Sequence, residues 1–511
     1  MIDTKLTPAP IDWIALAPMI AVGTTGVVAM ILEMMRPRKT NNLIVSISLI
    51  GLAFAAALVL AFWNVPPRES FGAVYADASG HEKNFGLFIH DRFSQLVQLL
   101  LIGVCFFTVM FSEGYLREKL IPFGEYYPLV LWTTVGGMVM VTTRDLIILF
   151  LGLETLSISL YILAGLSSKE KRSQESALKY FLLGAFASSF MLYGIALMYG
   201  GTGTTHLSGI TELFQANLAD ANPYRLVYAG LGMILVGFGF KAALVPFHMW
   251  TPDVYQGAPT CVTGFMAAGS KVAAYAALIR FLEGAMAMKD VWIPILMAFA
   301  VLSMTLGNLV AIVQRDAKRI LGYSSIAHAG YILVAVVAWA KAYDRPDLQI
   351  GYETVLYYLL TYSLMTIGAF AVLTLSARGG KEGTLVDDYY GMYRRRPFAA
   401  LAMVVFMVNL AGIPPFAGFF AKVFIFSDAL ETGLLWLALV LAVNSVISAY
   451  YYLRVAFAVF VQEPEWKPTR FAPMNLGLLL TCGITAVLLL AILVFTSPIL
   501  REISIVSAKI L

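Results

Sequence analysis

The chain has 511 residues, of which 59% are hydrophobic and 13% charged, with a formal net charge of +4. A soluble domain carries about 25% charged residues, so a soluble globular protein is excluded and the fold class is an all-α polytopic membrane protein. No polar stretch is long enough for a large soluble domain, and the placement of the charges carries more information than their sum.

Apolar runs of about 20 residues are long enough to cross the hydrocarbon core as helices. In chain order they fall at 13–35, 42–63, 92–112, 126–143, 145–166, 174–199, 227–246, 258–281, 290–313, 319–340, 353–377, 397–428, 433–460 and 474–496. Fourteen spans are therefore expected. No basic region precedes the first of them, so a cleaved signal peptide is not expected. Alternating crossings put 18 Lys and Arg in the loops on one side and 12 on the other, termini included, with 5 inside the spans. The richer side is expected to be cytoplasmic, which leaves both termini periplasmic.

Two spans are interrupted. In the seventh, Lys241 is followed by Pro246 and His248. In the twelfth, Gly412-Ile-Pro414-Pro415-Phe416 precedes Lys422. Proline removes an amide donor and clashes with the carbonyl four residues back. In lipid the freed carbonyls need partners, so both breaks are expected to face protein or a wet cavity. Matching breaks in two halves of a chain point to a repeat with an ion site at each break. The division expected is 1–125 as an N-terminal three-helix segment and 126–285 as a first five-helix repeat, with 286–462 as a second, inverted repeat and 463–511 carrying the last span.

Five basic residues stand inside the apolar runs: Lys179, Lys241, Lys271, Lys422 and Arg454. A charge at the bilayer centre costs about 2.5–3.5 kcal/mol on insertion scales, so such residues call for a use. Snorkelling to the interface accounts for Arg454 and Lys179 near span ends. It suits Lys241, Lys271 and Lys422 poorly, because two flank breaks and one lies mid-run. An ammonium buried without a counter-charge is destabilised, and documented cases titrate near physiological pH, the property a proton relay needs.

Glu154 lies mid-span and Lys179 early in the next, so the two are expected to pair. A static buried salt bridge fixing helix register is the competing reading. His328 is the one histidine well inside a span, suited either to carrying protons or to a hydrogen-bonded core position. His248 either relays or caps the first break. His81, His90 and His206 fall in loops and are expected to be solvated. Cys105, Cys261 and Cys482 read as inert core thiols. They offer no iron–sulfur ligand set, and one in-span histidine cannot hold a bis-histidine haem. Gly237-Phe-Gly239-Phe-Lys-Ala follows no strand and reads as helix packing, not dinucleotide binding.

The motifs Leu153-Glu154-Thr-Leu-Ser, Glu175-Ser-Ala-Leu-Lys179-Tyr, Pro246-Phe-His248-Met-Trp-Thr-Pro-Asp253-Val-Tyr and Ser324-Ser-Ile-Ala-His328 resemble a known family, as do Gly269-Ser-Lys271 and Asn409-Leu-Ala-Gly-Ile-Pro414-Pro415-Phe. The family is that of the N-type subunits of proton-translocating NADH:quinone oxidoreductase, respiratory complex I, related to Mrp-type antiporter subunits. The resemblance implies fourteen helices in two inverted five-helix repeats. It implies proton-translocation roles for Glu154, Lys179, Lys241, Lys271, His328 and Lys422. It also implies no cofactor in this chain, with FMN, iron–sulfur clusters and quinone held by partner subunits. The implied partners are an M-type antiporter-like subunit, small K- and J-type subunits and the lipid bilayer of a bacterial inner membrane, with no nucleic acid. Lys422 stands where the M-type subunit carries glutamate, and only a short segment follows Ser497, unlike the L type with its long lateral helix. The competing function is a cation/proton antiporter of the Mrp type working without a redox partner.

Overall fold

The computed structural model of the chain describes residues 7–8, 11–35, 42–76, 82–216, 222–345, 347–348, 350–378, 381–462 and 471–507. A short strand β1 (Thr7–Pro8) precedes helices α1 (Trp13–Met35) and α2 (Asn42–Ala61). Strands β2 (Arg68–Ala76) and β3 (Glu82–His90) lead into α3 (Arg92–Lys119), α4 (Phe123–Thr142) and α5 (Leu146–Ala164). Next come α6 (Lys171–Thr202), α7 (Leu207–Ala216), α8 (Asn222–Ala242) and α9 (Trp250–Gly257). The following helix is α10 (Thr260–Phe265), a π-helical turn at Met266–Ser270, and α11 (Lys271–Gly284). Then come α12 (Lys289–Val313), α13 (Ala317–Ala342) and α14 (Glu353–Leu373), followed by the two-residue strands β4 (Ala377–Arg378) and β5 (Lys381–Glu382). The chain closes with α15 (Met392–Arg395), α16 (Pro397–Ala411), α17 (Ala417–Glu431), α18 (Leu435–Ala458), α19 (Leu476–Val494) and α20 (Thr496–Ser507).

Each apolar run coincides with a helix or a broken helix. Twelve helices among the described residues are long and apolar enough to cross a membrane by length and composition. The remaining two expected spans are α4 and the split pair α16–α17. Burial sorts the helices radially. The windows of α10–α11, α13 and α14 are 100%, 94% and 94% buried, against 28% for α2 and 33% for α19. The inner helices therefore can carry polar groups away from lipid, and the outer ones present leucine, valine and phenylalanine to it.

Both interruptions end in the same local device. At the first, Ala243 N–H donates to the Phe240 carbonyl at 3.1 Å and Leu244 N–H to that of Gly239 at 2.7 Å. At the second, Gly412 N–H donates to Asn409 at 2.9 Å and Ile413 N–H to Val408 at 3.3 Å. This pairing of a short and a long reach back is a Schellman cap, which needs a left-handed residue after the helix. Ala243 takes φ +61° and Gly412 φ +74°. Alanine in that region is uncommon and strained, and Val245 N–H anchors the first break to Ser303 Oγ of α12 at 2.9 Å.

The segment between the second and third spans is not a plain loop. β2 and β3 pair antiparallel with Arg68 opposite His90 and Gly72 opposite Gly86, and β1 pairs with β2. The hairpin is stapled to the body by Thr143 Oγ1 donating to the Leu87 carbonyl at 2.9 Å and by His206 Nε2 at 3.2 Å from the Gly86 carbonyl. His90 and His206 are consequently buried, at 4% and 5% exposure, not solvated as expected. Burial lowers the pKa of both imidazoles. His81 lies outside the described residues. The three cysteines are free and buried.

Gly237 packs against Met191 in the α6–α8 contact, in line with its reading as packing. The closest approach of these two helices is at Gly194 and Gly230, where an added Cβ on either meets the other's carbonyl at 2.7 Å. Gly194→Leu should force α6 from α8 and lower the heat-denaturation midpoint of the solubilised protein by several degrees. Gly200→Leu, which has open space on the same helix, should leave it unchanged.

A buried line of lysines, tyrosines and one histidine

Lys241, Lys271, Lys422, Glu154 and His328 stand on α8, α11, α17, α5 and α13. Lys241 is in the last turn of α8. It is 3% exposed, and its Nζ donates to Ser157 Oγ of α5 at 2.8 Å and to the Tyr180 hydroxyl of α6 at 3.4 Å. Glu154 stands one turn before Ser157 on α5 and within electrostatic reach of Lys241. Its carboxylate accepts a hydrogen bond from Ser188 Oγ of α6. Between Ser188 and Lys241 lies a cavity of about 10 Å³, bordered also by Ser157, Tyr161 and Gly237. That is near the lower limit for one water molecule.

Lys271 opens α11 immediately after the π-helical turn, 3% exposed. Its Nζ donates to the Ser325 carbonyl of α13 and sits 5.3 Å over the Tyr362 ring. His328, 1% exposed, is gripped on both ring nitrogens. Nδ1 is 2.7 Å from the Tyr358 hydroxyl and Nε2 is 2.9 Å from that of Tyr452, which also bonds Ser324 Oγ. Lys422 of α17 donates to the Ala411 carbonyl at 2.8 Å, one of those freed at the end of α16. An added Cβ on Gly412 would meet Lys422 Cδ at 2.9 Å, so a substitution there would displace the lysine side chain besides straining φ.

Each of the three lysines has a tyrosine face within cation–π range: Tyr180 at 5.7 Å, Tyr362 at 5.3 Å and Tyr331 at 5.1 Å. Such contacts are worth about 2 kcal/mol or more when desolvated. The rings also connect the sites. The His328 ring centroid is 4.9 Å from Tyr362 and 5.5 Å from Tyr331. On the other side Tyr180 stacks on Trp250 at 4.5 Å, Trp250 meets Tyr255 at 6.3 Å, and the Tyr255 hydroxyl reaches Ser325 Oγ at 3.4 Å. The line therefore runs Lys241, Tyr180, Trp250, Tyr255, Ser325, Lys271, Tyr362, His328, Tyr331, Lys422. It passes from one break to the other through the interior.

The expected pairing of Glu154 with Lys179 is not formed. Glu154 meets α6 at Ser188, nine residues beyond Lys179, or roughly 13 Å along the axis at 1.5 Å per residue. Lys179 instead pairs with Asp253 and Glu175, each at 2.7 Å, with its side chain 41% exposed. Helical side chains lean toward the N-terminus, which directs Lys179 away from Glu154. Arg454 does not snorkel either. Its guanidinium donates to the Ile312 carbonyl at 3.0 Å and to that of Gln314, closing the end of α12. His248 is half-buried, and its carbonyl accepts from Thr251 N–H at 2.9 Å, so its backbone shapes the first break. None of its described contacts joins it to the lysines.

Sequence reasoning passed over several ion pairs, one half-exposed and two buried. Asp253 is shared by Lys179 and by Arg319 Nη1 at 2.7 Å. Burial raises its pKa, but hydrogen bonds from Lys179 and Arg319 outweigh that and leave it below the usual carboxylate value. Glu382 of β5 accepts from the Tyr115 hydroxyl at 3.1 Å and from Thr260 Oγ1, and lies 3.7 Å from Lys318 and 3.9 Å from Lys119. Arg280 pairs with Asp91, the N-cap of α3, at 2.5 Å with both side chains under 5% exposed. The signal available in the sequence was an acid inside the Trp-Thr-Pro-Asp253 motif. The partners are remote in sequence and leave no local trace. Among the described residues no group of three or more His, Cys, Asp or Glu is arranged for a metal ion.

A bundle with two interrupted helices and a buried cationic line between them defines the antiporter-like class of membrane subunit. The profile of the family described as NADH:quinone oxidoreductase/Mrp antiporter, TM, matches residues 143–448. The chain is 40% identical over 97% of both chains to a protein of Chloroflexus aggregans named NADH-quinone oxidoreductase subunit N. A chain of respiratory complex I from Thermus thermophilus superposes with a TM-score of 0.76 at 35% identity, over 95% of this chain and 98% of that one. A chain of the Mrp complex from Dietzia gives 0.79 at 22% identity over 96% and 97%, a likeness of fold. The chain belongs to the family of NADH-quinone oxidoreductase N subunits.

Arg280→Met leaves Asp91 as an uncompensated buried carboxylate, a loss of about 3–5 kcal/mol. Thermal denaturation of the solubilised protein should show a clear fall in midpoint. Arg280→Lys should recover only part of it, because an ammonium cannot reproduce the guanidinium fork.

Proposed function

We propose that this chain is a proton-translocating subunit in the membrane arm of a NADH:quinone oxidoreductase. It would couple quinone reduction, carried out in other subunits, to proton movement through Glu154, Lys241, Lys271, His328 and Lys422. The observation that carries this reading is the buried succession of side chains from Lys241 to Lys422, joined partly by hydrogen bonds and partly by ring contacts. Both ends lie at a helix break, and all three of its lysines are held by hydroxyls, carbonyls and ring faces. Ligands of this kind stabilise a cation without neutralising it, so a proton can arrive and leave.

In this reading FMN, iron–sulfur clusters and quinone belong to partner subunits, and the neighbours in the membrane are an M-type antiporter-like subunit and small K- and J-type subunits. The chain sits in a bacterial inner membrane with both termini periplasmic. Residues 126–285 and 286–462 form two inverted repeats, flanked by 1–125 and 463–511, and the identical caps at Ala243 and Gly412 support that division. Pro246, Pro414 and Pro415 keep the breaks open by withholding amide donors.

Coupling is electrostatic. A change in charge near Glu154 acts on Lys241 through Ser157, Ser188 and the small cavity between them. An opposite charge within about 4–6 Å moves a proton affinity by 1–3 pK units, enough to switch a buried lysine. Lys271 and His328 carry the change across α11 and α13. Lys422 delivers the proton at the second break.

The test is the proton-to-electron ratio of the assembled complex in sealed vesicles. Lys241→Ala should lower that ratio well below wild type while the complex still assembles. An unchanged ratio would falsify the path. Sodium-dependent exchange by the purified chain, with no redox partner co-purifying, would instead favour a cation/proton antiporter.

A further inference from the structure

We infer that a cavity between α3, α14, α19 and α20 holds one acyl chain of a phospholipid whose head group carries both a phosphate and an amine. Arg92 would meet the phosphate and Glu502 the amine. The cavity measures about 580 Å³, within the roughly 300–1,000 Å³ of ligand sites. Its walls are apolar, with Leu99, Val104 and Phe107 from α3 and Leu360, Leu364 and Ile367 from α14. Ser363 lies in the same wall, and its hydroxyl already donates to the Leu359 carbonyl at 2.6 Å. Such a surface offers a guest hydrocarbon contact and little else.

Depth decides what kind of guest fits. The lining runs from Leu96 to Phe107 on α3 and from Leu356 to Ile367 on α14. Each stretch is about 16 Å long at 1.5 Å per residue. The hydrocarbon core is about 30 Å thick, so the cavity reaches from one interface to near the midplane. A membrane helix of a partner would need the whole thickness, whereas the tail of a lipid from one leaflet needs half. The mouth lies at the start of α3 and α14 and the end of α19, where Trp63 and Glu502 complete the lining. Tryptophan is enriched at that level of the membrane.

The charges beside the mouth select the head group. Arg92 stands one turn before Leu96, on the same face of α3. Its guanidinium lies 5.7 Å over the Trp63 ring, and Nη2 is 3.4 Å from Asn64 Oδ1, so neither contact neutralises it. Glu502 lines the cavity from α20 and is exposed. A purely anionic head group would meet Glu502 as a like charge, and one without phosphate would leave Arg92 unused. One cation and one anion together suit a zwitterionic head group. Gly103 also lines the cavity, and a Cβ built on it meets nothing within 4 Å. The cavity can therefore be filled from that position without forcing the helices apart.

The experiment reconstitutes the assembled complex with phosphatidylethanolamine bearing a diazirine near the end of one acyl chain. After irradiation the labelled residues are mapped by mass spectrometry. Label is expected at Val104, Phe107 and Ile367. Gly103→Phe should cut it roughly tenfold, because the methylenes of the chain lose their place. Gly200→Phe, with open space outside the cavity, should not. Arg92→Gln and Glu502→Gln should each lower it roughly threefold, the reach of one exposed ionic contact, and Arg92→Lys should keep most of it. The same probe with a glycerol head group should label wild type more weakly than the amine form. If Gly103→Phe fails to assemble, Leu360→Phe takes its place, with the same loss expected. Unchanged label in the filled variant would mean annular lipid only. Stronger label from a photoreactive quinone would mean a quinone tail, and a cross-link from Phe107 to a neighbouring subunit would mean a covering helix. Each of these, or equal label from the two head groups, would overturn the inference. A failed Lys241 path would leave it standing, since it rests on the membrane fold alone.

Discussion

The cost of an ammonium in a low-dielectric interior governs the architecture. Lys241, Lys271 and Lys422 are each 6% exposed or less, so each takes lone pairs from the protein. Backbone carbonyls in an intact helix are already engaged. Free ones occur where a helix ends, and the second break supplies one to Lys422, while the other two lysines find partners elsewhere. Lys422 takes the Ala411 carbonyl at the end of α16. Lys271 follows a π-helical turn and reaches across to the Ser325 carbonyl. Lys241 precedes its break and uses side-chain hydroxyls instead, while the Phe240 carbonyl is taken by the Trp250 indole at 3.1 Å.

The two breaks share their cap but not the position of their lysine. Lys241 stands two residues before the left-handed residue Ala243, and Lys422 ten residues after Gly412. Each lysine thus occupies a different half of its broken helix. The interior line then has ends of different character, one near the carboxylate of Glu154 and one without any acid among its described hydrogen bonds. A path with unlike ends can have a direction, which a symmetric pair of sites would lack.

What could be read in the sequence follows from the same physics. Charges in apolar runs and prolines within spans are local signals, so Lys241, Lys271, Lys422 and both breaks were legible from residues alone. Register between helices is not local. Adjacent spans joined by a short loop suggested a Glu154–Lys179 contact, but contacts such as Gly184 on Tyr161 and Glu154 on Ser188 set their axial offset. Arg319 and Asp253 are 66 residues apart, and Arg280 and Asp91 are 189 apart, so nothing in either neighbourhood announced the other. The strand pair 68–76 and 82–90 was missed because its apolar alternation is short and sits between two much stronger helical signals. The basic residue near a span end, Arg454, has two uses open to it. The unsatisfied carbonyls at the end of α12 are a nearer partner than the membrane surface.

Partner chemistry separates working cations from fastened ones. Lys179, Lys119, Lys318, Arg280 and Arg319 all meet carboxylates within 4 Å. Each of these pairs joins elements far apart in the chain. Such pairs staple the bundle and set where the helices lie. Lys241, Lys271 and Lys422 meet hydroxyls, carbonyls and tyrosine faces. These ligands accept a hydrogen bond from either protonation state and do not demand the charge. The fold alone does not make this distinction, since it is shared with a chain of the Mrp complex at 22% identity. It is made by which side chains stand beside the lysines, and that is why the interior line, not the bundle, carries the functional argument.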